Sequence, residues 1–142
     1  MDVLKQDQVV ADALLRLFER AFMKAQTDED GDLYISDGLE LPIWVRVDAG
    51  ERLIRMFTYV TGHAGPLEGE EANYVNLLGL LPTFSVRANE PDRLWCHYSM
   101  TFLDGVIDGH IVEAARRFAG AAAYGCQFVG LTVGQQQRQR LQ

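Results

Sequence analysis

The first strongly periodic segment of the chain predicts an amphipathic helix at residues 7–26. Its apolar residues recur every three or four positions, which places them on one face of a helix. Those residues are Val10, Leu14, Leu17, Phe18, Ala21 and Ala25. The acidic segment at residues 27–32 follows, and its polarity indicates a solvated turn that ends the helix.

Alternating apolar and polar residues predict five strands, at residues 33–36, 41–47, 53–61, 83–88 and 94–102. Short polar turns join the first three strands, and the Asp37-Gly38 step is typical of a two-residue hairpin, so we expect antiparallel pairing. One face of the predicted sheet is apolar and should cover a core. It comprises Leu41, Ile43, Val45, Val47, Ile54, Met56, Val60, Phe84, Val86, Leu94, Cys96, Tyr98, Met100 and Phe102.

Between the third and fourth strands, residues 70–81 predict a helix that is apolar around much of its surface. At 100° per residue its apolar side chains cover an arc of about 220°, whereas packing on a single core requires only a little over 100°. The simplest second surface is another copy of the chain. We therefore predict a homodimer whose interface includes Tyr74, Val75, Leu77, Leu78 and Leu81.

The last periodic segment predicts a helix that begins at Asp108, its N-cap, and ends near Gly125. The order helix, three strands, helix, two strands, helix is typical of an α+β fold in which helices flank a five-stranded antiparallel sheet. A chain of 142 residues is long enough for one domain of ordinary size and too short for two. We expect a single domain over residues 1–134 and a polar, disordered tail over residues 135–142.

Composition and charge narrow the class of partner. The chain is 48% hydrophobic and 23% charged, which is typical of a soluble globular protein. A formal net charge of −7 argues against a nucleic-acid partner, because nucleic-acid-binding domains usually present a basic face. The amino terminus lacks the basic start and cleavage site of a signal peptide, and no apolar run is long enough to cross a bilayer. We therefore expect a cytoplasmic protein that does not associate with membranes.

The two cysteines, Cys96 and Cys126, follow no metal-binding or redox spacing. In a reducing cytosol the expected state is two buried free thiols, and a disulfide is the alternative. Cys96 is followed by His97, but adjacent residues of a strand point to opposite faces, so these two side chains cannot form a nucleophile–base pair.

The acidic segment after the first helix does not match a calcium site. Asp28, Asp30 and Asp32 fit the first acidic positions of an EF-hand loop, but Leu33 and Leu39 stand where the loop requires glycine and glutamate. Catalytic motifs for nucleophilic, phosphate-binding or metal-dependent chemistry are also lacking in the sequence. The sequence therefore predicts neither an enzyme nor a bound metal or cofactor.

The polar face of the predicted sheet concentrates large aromatic and basic side chains. Two tryptophans and three arginines on one face are unusual in an acidic chain, and these residue types are enriched at binding hot spots. We predict a partner-binding surface that consists of Trp44, Arg46, Arg55, Phe57, Tyr59, Arg87 and Trp95, with His97 on the same face. The alternative is that a helix or the tail covers part of this face while the arginine stems pack over the rings.

Three segments resemble a known family: DLYISDGLELPIWVRVDAGERLIRMFTYV, NYVNLLGLLPTFSVRA and LWCHYSMTFLDGVIDGHIVEAARRF. With the Asn73 and Asn76 pair, the Asp104-Gly105-Val106 turn and Arg117-Phe118, they resemble the YbjN-type bacterial proteins over residues 32–118. The order of elements is also similar to that of the class I type III secretion chaperones, which have a Tir-chaperone-like fold. For the two asparagines we favour side-chain bonds to backbone at the helix–strand junction over contact with a ligand.

The resemblance implies a small acidic cytosolic homodimer that binds an extended segment of another protein without hydrolysing it. YbjN-like proteins are also described as sensory-transduction regulators. The expected function is therefore that of a non-enzymatic, chaperone-like or adaptor protein with a protein client. The alternative is a small-molecule-sensing regulatory domain with a pocket between sheet and helices.

Overall fold

The computed structural model describes residues 2–61, 72, 76, 77, 79 and 81–127. This part of the chain contains antiparallel strands and two helices. The strands are β1 (Val3–Leu4), β2 (Lys24–Thr27), β3 (Leu33–Asp37), β4 (Ile43–Asp48), β5 (Leu53–Thr61), β6 (Thr83–Arg87), β7 (Glu90–Thr101) and β8 (Val106–Ile107). The helices are α1 (Ala11–Arg20) and α2 (Asp108–Gln127), and a short 3-10 helix spans Gln6–Gln8.

The main sheet has six described strands in the order β2-β3-β4-β5-β7-β6, and every neighbouring pair is antiparallel. The longest pairing joins β5 to β7, from Leu53 opposite Thr101 to Thr61 opposite Arg93. A separate two-stranded pairing of β1 with β8 ties the amino terminus to the start of α2. The α+β class and the antiparallel sheet are confirmed.

Alternation along the strands places their apolar residues on one face, and both helices pack against that face. From α1 the core receives Leu14, Leu17 and Phe18, and from α2 it receives Ile111, Val112, Ala115, Phe118, Ala119 and Ala122. The predicted inward strand residues are found in this core or packed at its margin. Fully enclosed among them are Ile43, Ile54, Met56, Leu94, Cys96 and Phe102.

The first helix is shorter than predicted, because residues 24–27 form β2 and not a last helical turn. At the end of α1 the Met23 N–H donates to Phe18 O and the Phe22 N–H donates to Glu19 O, a Schellman-type ending. Phe22 adopts a left-handed φ of +64° at this point. The helix therefore ends at Arg20, and the chain turns into an edge strand.

Three other predicted boundaries were wrong. The link between β3 and β4 is not a two-residue hairpin but spans residues 38–42. Leu41 lies within this link and is buried in the core. The turn between β6 and β7 is tighter than predicted, since Arg87 pairs with Glu90 and β7 starts there. Gly125 does not stop the last helix but is buried within it.

The predicted five-stranded sheet becomes six-stranded in the described chain because β2 adds to its edge. Its sequence, KAQT, lacks the apolar alternation of a half-buried strand, and three of its four residues are exposed. The short strands β1 and β8 contain two residues each, too few for a recognisable period.

Most of the predicted central helix and the predicted tail lie outside the described residues, among them Asn73, Tyr74, Val75 and Leu78. The side chain of Asn76 is described: its amide N–H donates to Phe84 O at 2.9 Å, and the Phe84 N–H donates to its Oδ1 at 2.7 Å. The prediction of side-chain bonds to backbone is thus confirmed for Asn76. Neither described helix is both long and apolar enough to span a bilayer.

Candidate binding face

The sheet face opposite the core carries the predicted partner-binding residues. Register places Trp44 opposite Phe57 and Tyr59 opposite Trp95, so that their side chains project from the same side. We call this surface the aromatic–arginine face, and it consists of Tyr34, Trp44, Phe57, Tyr59, Trp95, His97, Arg46, Arg55, Arg87 and Arg93. All seven residues predicted for a partner surface are among these ten.

The rings of this face form a continuous row across four neighbouring strands. Ring centroids are 4.9 Å apart between Tyr34 and Trp44, 5.7 Å between Trp44 and Tyr59, and 4.8 Å between Tyr59 and Trp95. Trp95 continues to His97 at 6.0 Å. Such distances are those of packed aromatic pairs, which hold one another in fixed orientations.

Arginine side chains lie over the rings. The guanidinium carbon of Arg87 is 3.8 Å from the Trp95 ring centroid, that of Arg93 is 4.4 Å from the Tyr59 centroid, and that of Arg46 is 5.2 Å from the Phe57 centroid. Each distance is within the range of cation–π attraction. Half of the alternative prediction, that arginines pack over the rings, is therefore observed.

The alternative also predicted that a helix or the tail covers part of this face. Neither α1 nor α2 does so, because both pack on the opposite side of the sheet. The tail, the other predicted cover, lies outside the described residues. Trp44 and Phe57 remain partly accessible on this face, whereas Tyr34, Tyr59 and Trp95 are buried.

Carboxylates around the edge of the face hold the arginines. Both oxygens of Asp32 accept hydrogen bonds from Arg46, at 2.9 and 2.7 Å, and this contact raises the pKa of Arg46. Arg55 reaches one oxygen of Asp48, at 3.3 and 3.2 Å. The Glu51 backbone N–H lowers the pKa of Asp48, and the hydrogen bond from Arg55 lowers it further.

On β7, Glu90 contacts both Arg87 and Arg93, the latter through a hydrogen bond from Arg93 Nη1. Arg93 belongs to the face but was missed in the sequence, because the predicted strand began one residue after it. The four arginines of the face thus share three carboxylates, those of Asp32, Asp48 and Glu90.

A pocket of about 460 Å³ opens on this face. It is lined by Arg46, Arg55, Met56, Phe57, Arg87, Trp95, His97 and Ser99. Three of these residues are arginines, and none of the described lining residues is acidic. His97 is half-buried, and burial, together with the positive charge of Arg87, lowers its pKa, so its imidazole is neutral at pH 7.

Trp95 has a buried polar atom without a partner. The residue is 8% exposed, and its indole Nε1–H has no hydrogen-bond acceptor among the described residues. Buried indole N–H groups usually find an acceptor.

The acidic turn between β2 and β3 gathers Asp28, Asp30 and Asp32, whose carboxylate oxygens lie within 4.8 Å of one another. Asp28 Oδ1 accepts the backbone N–H groups of Asp30 and Asp32, and Asp32 binds Arg46. Two of the three carboxylates thus have structural partners that account for their positions, in agreement with the predicted turn.

Cys96 and Cys126 are both free and buried, as predicted. A hydrogen bond with Cys126, and then burial, raise the pKa of Cys96 well above its usual value. Cys96 faces the core while His97 lines the opposite face, so the structure separates the two side chains as expected.

The predicted dimer interface is only partly described. Leu77 and Leu81 are 85% and 44% exposed. Leu81 also borders a shallow groove with Tyr98, Met100 and Ala114. The homodimer remains a prediction.

Comparison with known proteins identifies the fold. No protein-family model matches the chain, and no curated protein matches its sequence. Among solved structures, the crystal structure of YbjN from E. coli, described there as a candidate transcription regulator, is similar with a TM-score of 0.67 and 11% sequence identity. The match covers 85% of this chain and 93% of that chain. The resemblance inferred from the sequence is confirmed for the fold, and the chain has a YbjN-like fold.

Proposed function

We propose that the protein is a non-enzymatic regulatory adaptor, chaperone-like in its action, that binds an extended segment of another protein across the aromatic–arginine face. The observation that carries this proposal is the row of packed rings with arginines above them, on a side of the sheet that neither α1 nor α2 covers. Tryptophan, tyrosine and arginine are the residues that contribute most at protein interfaces. The YbjN-like fold of a candidate regulator is compatible with a regulatory role.

The dimensions of the face favour a peptide. The rings lie on β3, β4, β5 and β7, which are neighbours in the sheet, and strands about 4.8 Å apart place the outer two about 14 Å from each other. An extended chain advances about 3.3 Å per residue, so four or five residues cross these strands. They would contact Trp44, Phe57 and the arginines that lie over the buried rings. The rings are already packed in the free protein, which reduces the ordering cost of binding.

Both tryptophans of the chain lie on this face, so intrinsic tryptophan emission reports on its occupancy. Peptides selected from a random display library on the wild-type protein should change this emission on binding. Phe57→Ala should weaken their binding at least tenfold, because the substitution removes a ring from the centre of the face. A melting curve of each variant checks that the fold is retained.

Phe22→Ala is the matched control, since Phe22 is 96% exposed and belongs to α1 and its end, away from the face. Its peptide affinity should equal that of the wild type. Equal binding by Phe57→Ala and wild type, with both folded, would remove the support for this surface.

A small-molecule-sensing regulatory domain is the second candidate, and the pocket beside Trp95 favours it. This pocket opens on the sheet face away from α1 and α2, and not between sheet and helices as expected from the sequence. A thermal-shift screen of metabolites separates the two candidates, because a ligand that binds only the folded state raises the melting temperature.

A further inference from the structure

The pocket on the aromatic–arginine face has more cationic donors than local acceptors. Arg46 is held by two short hydrogen bonds to Asp32. In contrast, two nitrogens of Arg55 share a single Asp48 oxygen at 3.3 and 3.2 Å, and Arg87 Nη1 is 3.5 Å from Glu90 Oε1. Those last distances are long for charge-assisted bonds, which are usually about 2.7–2.9 Å. Arg55 and Arg87 can therefore donate hydrogen bonds to an additional acceptor that lies closer.

Trp95 adds an aromatic ring to the same lining. Its Nε1–H is buried and lacks an acceptor among the residues that the structure describes. A buried N–H without a partner loses its hydration and gains nothing in return. The nitrogen itself is not exposed, so a ligand oxygen in the pocket contacts the flanking guanidinium groups, and Trp95 senses the ligand through the lining that it shares with them.

The electrostatic surroundings also favour a negative ligand. The described lining contains three arginines and no carboxylate, although the whole chain has a net charge of −7. The half-buried His97 adds no charge at neutral pH, because burial and Arg87 lower its pKa. The carboxylates that pair with these arginines lie outside the lining, so the guanidinium groups are what a ligand in this concave site meets, and their charge is screened less there than on an open surface.

From these contacts we infer that the pocket binds an oxyanion, a carboxylate or a phosphoryl group, through Arg55 and Arg87. This inference rests on the proposed function in that the oxyanion belongs to the segment bound across the same face. The rings hold the apolar part of that segment, and the pocket selects segments with a negative group at one end of the row.

Nuclear magnetic resonance of 15N-labelled protein tests the inference directly. The two tryptophans give two indole N–H signals, and Trp44→Phe assigns the remaining one to Trp95. Sodium acetate and sodium phosphate are titrated separately at constant ionic strength, with sodium chloride as the reference salt. The Trp95 indole signal should move and saturate, because an anion bound against the same lining changes the field around the ring, and the His97 pKa should rise toward its ordinary value.

Variants then assign the donors. Arg87→Gln and Arg55→Gln should each weaken the response of Trp95 at least tenfold, since a charge-assisted bond is lost. Arg117→Gln is the matched control, because Arg117 is an exposed arginine of α2 whose partner is Glu113. Its response should equal that of the wild type.

Saturation with phosphate alone assigns a phosphoryl group, saturation with acetate alone assigns a carboxylate, and saturation with both assigns a general oxyanion site. No saturable shift with either salt, or an equal loss in Arg117→Gln and Arg87→Gln, overturns the inference. Selected peptides that still bind in a Phe57-dependent manner would leave the proposed function standing in that case. Conversely, a saturable anion response without any bound peptide would reject the adaptor function and retain the oxyanion site.

Discussion

The ion pair between Arg46 and Asp32 differs from the other pairs of the aromatic–arginine face in the burial of its carboxylate. The Asp32 side chain is 7% exposed, whereas that of Asp48, the partner of Arg55, is 30% exposed. Both Asp32 oxygens accept hydrogen bonds from Arg46. A buried carboxylate that loses its partner retains its desolvation cost without compensation.

We therefore expect Arg46→Ala to lower the free energy of unfolding by about 2 kcal/mol, less than the loss for a fully buried pair because Arg46 is half exposed. Arg55→Ala is the matched control, and its loss should stay below about 1 kcal/mol, as for other solvent-exposed pairs. Urea denaturation of the three proteins measures both values. Similar losses in the two variants would show that burial of Asp32 does not set the energy of its pair.

At the scale of the elements, α1 ends where Phe22 adopts a left-handed backbone conformation. Phe22 has a left-handed φ of +64° and a side chain that is 96% exposed, so the residue gains little packing in return for its strain. Helices commonly place glycine at this position because it adopts the left-handed region without a steric cost.

Phe22→Gly should stabilise the protein by up to about 1 kcal/mol, because the left-handed cost of about 1–2 kcal/mol is removed and the added flexibility of the unfolded chain offsets part of it. Ala21→Gly is the matched control: Ala21 has an ordinary φ of −89°, so glycine there should only destabilise. Thermal melts of both variants give the comparison. A lower melting temperature for Phe22→Gly would contradict the assigned strain.

The sequence predicts the elements well where side chains alternate between two environments. Ile43, Met56 and Leu94 were assigned to the core and are buried there, because each strand meets helices on one face only. The period does not detect β2, whose polar residues are exposed at the sheet edge.

The residue types on the candidate site were predictable from the same alternation, but its pairwise contacts were not. The period assigned Trp44 and Phe57 to one face, which register confirms. The unpartnered Nε1 of Trp95 depends on which atoms surround one buried nitrogen, and no linear pattern encodes that. Arg93 was missed because the turn before β7 is shorter than its Asn-Glu-Pro-Asp sequence indicates.

At the scale of the whole molecule, two exposed leucines that precede β6 allow the predicted homodimer to be tested. Leu77 and Leu81 present apolar surface to solvent, at 85% and 44% exposure. Burial of such surface stabilises association by about 25 cal/mol per Å². These two residues belong to the interface predicted from the sequence.

The double variant Leu77→Glu with Leu81→Glu should halve the mass measured by light scattering, because two carboxylates would be brought into an apolar contact in each subunit. Leu103→Glu is the matched control, since Leu103 is also exposed, at 59%, but lies beyond the end of β7. Its mass should equal that of the wild type. A wild-type mass that already corresponds to a monomer would rule out the dimer.

The amide of Asn76 limits how copies of this molecule can join through their sheets. It occupies the outward N–H and C=O groups of Phe84, which blocks strand addition at the centre of β6. Among the described strands, the other sheet edge is β2. A sheet with one usable edge can join a single second sheet about a two-fold axis, whereas two usable edges would permit open-ended polymers. One side chain thereby hinders the addition of a second sheet at the β6 edge.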